Sequence, residues 1–582
     1  AFPTWYYVLS SQQDVYRGEL VSDWTDNFST TFRISRKEYI RGQDSLGDTS
    51  ATGTSFGEFE IEVDPNDPYF AANGLNGAAL LGGNDRTFNL GPDQFRHHNY
   101  FEDERTVYYG QGDYIWGDHV ITFGGQYEQY DLFNIFGQRS RGFYEFGSLT
   151  DFVNQDAFVT YINAQSNNSA DTAAEWGYGQ LTLFAQDRWQ ILPELNINYG
   201  VRYDRIYQDD VPPAPEPVPS ADGFALQTFE SVYGFSGDDN LDGVDLWQPR
   251  FGFEYTPADR LTISGGFGLY SGGNPQVWAS NNFTPATYFA LGFNTNVTGT
   301  AVPQPILDDV AQGVSLGGAV QNIDVFSPGF DMPNVLRASL RADYELNLER
   351  FGLGDGYFVS ASVLHSDRRE ALIWRNLAFD RPDLDFARGV APDGRPIYPD
   401  LGDIPLQSDP ANTDGNENTN GAEISLPDAF VIDTTEGGTT TAYAFQLAKQ
   451  YESGLGFRFG YTYTEAEDLL EYTSSRAVSA WRGIIGTDRN NPIVGTSSNE
   501  IQHKFTVNLN YERDFVRDLT SRFNVFGLIQ SGQPFSYGFD VSGGNPIFGR
   551  ALGGSPRDGA DLLYIPEAGG DPRVEFETAA DE

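Results

Sequence analysis

Cysteine is absent from the 582 residues, which excludes a disulfide framework and any thiolate metal site. Methionine occurs once, as Met332, so the chain starts at Ala1 without an initiator. Nothing near Ala1 has the basic start and apolar core of an export signal. The reading is that the signal was removed or that the sequence is a fragment. Lysine is nearly missing (Lys37, Lys449 and Lys504), and the net charge is −46. Basic patches of the kind that bind nucleic acid are not found. The acidic excess reads as solvated loops in an ion-rich medium, because net charge reports solubility rather than fold. No apolar run reaches about 18 residues, so the sequence offers no transmembrane helix. That leaves a membrane β-barrel open, since its spans are short and only half apolar.

Aromatics and glycine are what the chain has in excess: 44 Phe, 32 Tyr, 9 Trp and 64 Gly. Aromatics favour pleated strands and glycine marks turns. The decisive signal is a period of two. Leu195, Ile197, Tyr199, Val201 and Tyr203 alternate with Asn196, Asn198, Gly200, Arg202 and Asp204. Leu336–Leu348 and Phe505–Tyr511 show the same apolar rows with polar partners between them. Each is a strand with one apolar and one polar face.

About seven such hairpins follow, with short turns near Asp26, Asp118, Pro193, Ala258, Gly352, Ser453 and Phe515. They predict about 14 strands of roughly 9–14 residues, a length suited to a tilted membrane strand. Long polar segments separate the hairpins, roughly 41–102, 134–176, 209–245, 272–333, 370–438, 468–499 and 532–582. Short turns at one rim and long loops at the other are the asymmetry of an outer-membrane barrel. Six of the seven turns follow an aromatic: Trp24, Trp116, Trp189, Tyr255, Tyr451 and Tyr511. Such rings form girdles at the water–lipid boundary. Asp187 breaks the pattern, as a carboxylate on the apolar face or as a bulge. Irregular turn spacing argues against a propeller or solenoid, and the loop asymmetry argues against a secreted sandwich. The proline-rich run Val211–Pro219 spaces a loop rather than dividing domains. The fold class is therefore all-β, a transmembrane antiparallel barrel with long extracellular loops, in the outer membrane of a Gram-negative bacterium.

Leu181-Thr-Leu-Phe-Ala-Gln-Asp-Arg-Trp189, followed by Leu195–Asp204, resembles a strand pair of TonB-dependent receptors. Gln248–Tyr255, Ile501–Phe505 and Gly532–Tyr537 look like later barrel segments of that family, most closely its Oar-like branch. The resemblance covers most of the chain. It implies a 22-stranded parent barrel filled by an N-terminal plug. It further implies an unidentified ligand captured by outer loops, surrounding lipid and lipopolysaccharide, and a TonB-type complex acting through the plug. Residues 1–582 then form a partial barrel, with the plug and the final strands missing. Such a piece would not transport alone.

Other motifs carry less. Gly53–Gly57 and Gly313–Gly317 match a Gly-x-Ser-x-Gly hydrolase elbow, but neither opens a helix. The reading is no enzyme. Asp238, Asn240 and Asp242 resemble the start of a Ca²⁺ loop, although Pro249 stands where the closing Glu belongs. The alternative there is a polar turn, and no other cofactor is expected. His97 and His98 are adjacent, and so point apart in an extended segment. Arg33, Arg202, Arg250, Arg337, Arg341 and Arg458 fall on inward positions, with acids among them. They line a lumen wall, and could also dock a plug. Ligand capture is expected in loops 272–333 and 370–438, through Trp278, Phe283, Tyr288, Phe289 and Trp374. Two further readings stay open: a passive or structural barrel, and a secreted glycan-binding β-protein.

Overall fold

Successive side chains of a strand point to opposite faces, so a row with period two removes one face from water. The computed structural model describes residues 3–46, 56–215, 218–219, 226–273, 275, 277–285, 287–297, 301–313, 323–380, 389–391, 394–397, 428–469, 474, 476–516, 519–538 and 562–565. In chain order the strands are β1 (Tyr7–Thr25), β2 (Phe28–Ser45), β3 (Glu58–Val63), β4 (Arg86–Leu90), β5 (Asn99–Trp116), β6 (His119–Phe136) and β7 (Phe143–Phe146). They continue as β8 (Asp156–Asn163), β9 (Ala174–Leu192), β10 (Leu195–Tyr207), β11 (Asp245–Ala258), β12 (Leu261–Ser271), β13 (Tyr288–Asn296) and β14 (Ile323–Phe326). The last are β15 (Asn334–Leu346), β16 (Tyr357–Asn376), β17 (Ala429–Thr435), β18 (Thr439–Gln450), β19 (Leu455–Asp468), β20 (His503–Val516) and β21 (Leu519–Gln530).

One antiparallel meander runs β1-β2-β5-β6-β9-β10-β11-β12-β15-β16-β18-β19-β20-β21, each strand bonded to the next. These are the strands and turns that the alternation predicts. Their lengths differ from the expectation. β1, β2, β5, β6, β9 and β16 span 18–20 residues. Beyond the apolar stretch of β2 the outer face turns charged, with Arg36 bonded to Glu38 (2.8 Å) and Glu104 (2.7 Å). A paired strand in water needs no apolar face, so it outlasts the periodic signal. Among the described residues β1 pairs only with β2, and β21 only with β20.

The register joins the three apolar rows. Leu195, Tyr255, Ile263, Ala342, Ala361, Phe445, Tyr461, Phe505 and Ile529 are successive opposed residues across eight pairings. They lie side by side on one face, not against each other as in a sandwich. Large side chains of this face stand exposed, among them Phe267, Leu340, Val525 and Ile529. So extensive an apolar surface requires lipid or a partner.

Two girdles bound this belt. Trp116, Tyr255 and Tyr451 stand at the short-turn rim, and Tyr108, Trp247 and Tyr443 lie eight positions back on the same face of their strands. Eight residues cover roughly 26 Å of strand, or about 20 Å of membrane normal at a tilt of about 40°. The alternation by itself marks only the turn-side girdle. At that rim Arg260 and Asp355 tie two neighbouring turns together, and the guanidinium holds the Asp355 carboxyl down to about 2.

Asp187 lies on the outer face without a bulge, opposite Ile121 and Tyr199. His119 Nδ1 stands 2.7 Å from its Oδ2, and the Tyr199 hydroxyl donates at 2.8 Å. The His119 ring stacks between Trp116 (5.8 Å) and Trp189 (5.0 Å). The girdle thus supplies the carboxylate with polar partners at the lipid boundary. His119→Ala should destabilise the barrel by about 1–3 kcal/mol, the cost of an under-satisfied buried acceptor. Urea titration of the heat-modifiable band in a membrane preparation would measure it.

The long connections are not merely polar, which corrects the expectation. Segments from three of them supply a five-stranded sheet in the order β13-β8-β7-β3-β4. Ile61, Val63, Tyr144, Phe146, Val159, Tyr161, Ile306 and Val310 form its core. A second core seats Phe283, Phe326, Trp374, Phe379, Phe430 and Trp481 against Tyr130, Trp176 and Tyr178 of the wall. A third, smaller cluster joins Phe229 and Val232 to Ile323, Val325 and Val431. The loop rim therefore carries a folded cap.

Candidate functional site

The face opposite the apolar belt is polar, and register places Arg33, Arg202, Arg250, Arg337, Arg341 and Arg458 all on it. Several cations of this face meet acids, on a neighbouring strand or two residues along their own. Arg33 bonds Glu19 (2.7 Å) and lies over the Tyr109 ring at 5.0 Å. Lys37 bonds the buried Asp103 at 2.7 Å, and Arg105 pairs with the buried Glu128. Arg341 bonds Asp343 at 2.8 Å. Asp204, 2% exposed, accepts from Thr182 Oγ1 (2.5 Å), Arg202 Nε (2.9 Å) and Gln248. Several donors there replace the water that burial removes.

Arg250 and Arg337 differ. Among the described residues neither has a carboxylate within ion-pairing reach. Arg250 donates to Gln248 Oε1 at 3.1 Å. Both guanidinium groups lie over the Tyr270 ring, at 4.5 and 6.0 Å from its centroid. Two cavities adjoin them. One of about 430 Å³ is lined by Tyr109, Phe184, Gln186, Asn198, Arg202 and Arg250, and one of about 820 Å³ by Arg337, Ser366, Arg368, Glu370, Thr440 and Asp468. Tyr270 escaped the sequence reading because it sits at the loop end of β12, where the alternation gives no role to a single ring.

The aromatic ligand candidates fare differently. Phe283 and Trp374 are 4% and 2% exposed within the core between cap and wall, and Phe283 stacks on Trp176 at 4.8 Å. Their burial assigns them to packing. Trp278 packs on the same core and Tyr288 on the five-stranded sheet, both partly buried. The side chain of Phe289 lies outside the described residues, as do 381–388, 392–393 and 398–427 of the second expected loop. Ser55 and Ser315 of the two Gly-x-Ser-x-Gly stretches lie outside them too.

The Ca²⁺ candidate is a hydrogen-bonded turn. Asn240 Oδ1 accepts from the Asp242 amide (3.0 Å), and its Nδ2 donates to the Gln208 and Asp210 carbonyls (3.2 and 2.9 Å). Asp242 Oδ1 accepts from the Gln208 amide at 3.1 Å, and Asp238 takes the Ser236 hydroxyl. These oxygens fasten the turn to the end of β10. Among the described residues no three His, Cys, Asp or Glu side chains converge as a metal site would require.

Burial raises several acids of the cap, Glu58 and Glu145 among them, and Asp324 furthest. Asp324 on β14 has Oδ1 sealed from water, with no hydrogen-bond partner among the described residues. Burial pushes its carboxyl up to about 7, Asp428 adds to this, and Arg476 opposes it. A raised acid stabilises the fold fully below its unfolded value of about 3.9, and that contribution is lost as pH rises through about 7. Limited proteolysis of the cap should therefore run about fivefold or more faster at pH 8.5 than at pH 5. Asp324→Asn should remove the difference.

The family model described as outer membrane beta barrel domain matches residues 9–552. No curated protein matches the chain. Among solved structures it is similar to the outer membrane transporter YddB from Escherichia coli, at 10% identity and TM-score 0.45, over 86% of this chain and 49% of that one. It is also similar to the siderophore receptor PiuA from Acinetobacter baumannii, at 10% identity and TM-score 0.40, over 92% and 56%. The FrpB iron transporter from Neisseria meningitidis aligns at 11% identity and TM-score 0.37, over 87% and 49%. The chain spans about half the length of these structures.

Proposed function

Because this chain belongs to the outer membrane beta barrel domain family, we propose that it forms the wall and outer cap of a TonB-dependent receptor. Its place is the outer membrane of a Gram-negative cell, in contact with lipid and lipopolysaccharide. The receptor carries a ligand across that membrane, and an inner-membrane complex supplies the energy. The observation that supports this reading best is the cap. A passive pore needs an open mouth, whereas here the long connections fold over one rim on hydrophobic cores of their own. Below them lies a charged inner wall with room for a solute.

Further strands complete the wall in this proposal, because lipid tolerates no open sheet edge and β1 and β21 each pair on one side only among the described residues. A plug docks against inner residues such as Arg33, Arg341 and Arg458. Ligand recognition belongs to the long connections, whose exposed residues stand on a rigid scaffold. The work is transport rather than catalysis.

The test is uptake by cells expressing the full-length gene product, with and without an uncoupler of the inner membrane. Loss of ligand accumulation with the uncoupler, and no energised uptake by residues 1–582 alone, is the expected result. Accumulation indifferent to the uncoupler would favour a passive barrel.

A further inference from the structure

Four inner-face glycines leave a patch of the wall without side chains. They are Gly200 on β10, Gly252 on β11, and Gly266 and Gly268 on β12. Gly200, Arg250, Gly268 and Arg337 are successive opposed residues across four strands. Gly268 therefore lies directly between the two arginines. A methyl group there would come within 3.0 Å of Arg250 Cγ and 3.2 Å of both the Tyr270 ring and the Pro249 carbonyl. Glycine at this position lets the Arg250 stem cross the strand and brings its guanidinium over Tyr270. The smaller cavity opens over Gly200 and Gly252, beside Arg250, and the larger one reaches Arg337.

Two adjacent guanidinium groups with no ion-paired acid among the described residues set this patch apart. The chain carries −46, and Arg33, Lys37, Arg105, Arg202 and Arg341 on the same face all meet carboxylates. Two adjacent guanidinium groups without an acid repel each other, and an anion between them relieves that cost. Guanidinium forks match carboxylate and phosphate oxygens two at a time. Tyr270, between the two, holds them by its ring face, and apart from the Arg250 N–H given to Gln248 their N–H groups point to no acceptor among the described residues.

We propose that Arg250 and Arg337, with Gly268 between them and Tyr270 against both, form an oxyanion-binding station of the inner wall. It takes the carboxylate or phosphate group of a solute in transit. This deepens the transport reading and rests on it for the word transit. The binding itself is measurable without transport.

The experiment is calorimetric titration of the full-length protein in detergent with citrate, and separately with inorganic phosphate, at low ionic strength. Heat-modifiable gel mobility verifies that every variant is folded. The Arg250→Gln/Arg337→Gln double variant should bind about tenfold or more weakly. Lys504→Gln, which removes a cation of the same face that has no ion-pair partner among the described residues, should bind as the unaltered protein does. Equal losses in both variants would reduce the effect to net charge and overturn the proposal. So would the absence of citrate and phosphate binding to the full-length protein, the result expected if one of its own carboxylates already occupied the arginines. If uptake proves indifferent to the uncoupler, the transport reading fails and this titration still stands or falls on its own.

Discussion

Leu447→Arg should cost about 2–4 kcal/mol and keep the barrel from assembling, the penalty of a cation at the bilayer midplane. Leu447 lies on the outer face of β18, four residues from Tyr443 at one girdle and four from Tyr451 at the other. Its opposed neighbours, Val359 and Phe459, are apolar. Gln446→Arg is the matched control. One residue earlier, Gln446 faces inward between Ser360 and Gly460, so its replacement should stay within about 0.5 kcal/mol. The fraction of heat-modifiable protein recovered in outer-membrane preparations reads both. Equal losses for the two variants would mean that the outer face does not meet lipid.

Trp481→Ala should open the cap at a cost of about 3–5 kcal/mol, as for a fully buried large aromatic. Trp481 is 1% exposed and stacks on Phe379 at 5.2 Å, near Phe430 at 6.1 Å. Its indole N–H donates to Asn490 Oδ1 at 3.2 Å. Asn490 in turn holds the end of β16, accepting from the Asn376 amide (2.7 Å) and donating to the Asn376 carbonyl (3.0 Å). Removal of the ring therefore leaves a cavity and loosens the anchor of a second loop. Protease should cut within the cap while the belt strands stay heat-modifiable, since lipid and ladder hydrogen bonds hold them independently. Simultaneous loss of cap and barrel would show them to be one cooperative unit.

The wall was legible in the sequence and the cap was not. Rows such as Leu195–Tyr203 and Phe505–Tyr511 have one lipid face and one watery face, so period two marks them without knowledge of their neighbours. The cap strands are short, four residues in β7 and β14. Two of their pairings, β3 with β7 and β14 with β17, are parallel and join distant segments. Nothing local in the chain records such contacts. The same limit explains Phe283 and Trp374, where an aromatic in a long loop reads as a ligand contact although a nonlocal core takes it. Asp187 reads as a flaw until His119 and Tyr199 are seen on the adjoining strands. The arginine face was legible, because inward positions follow from the period. The pairing of Arg250 and Arg337 across Gly268 needed the register.

The absence of cysteine makes the central claim, that one face of this sheet lies in lipid, directly measurable. Single cysteines placed along β15 at 336–344 and spin-labelled in the full-length protein in bilayers would report collision with oxygen, which concentrates in lipid, and with a water-soluble nickel chelate. Leu336, Ala338, Leu340, Ala342 and Tyr344 should favour oxygen, and Arg337, Ser339, Arg341 and Asp343 the chelate, alternating residue by residue. Uniform chelate access at both sets, or an oxygen maximum on the arginine face, would contradict the account.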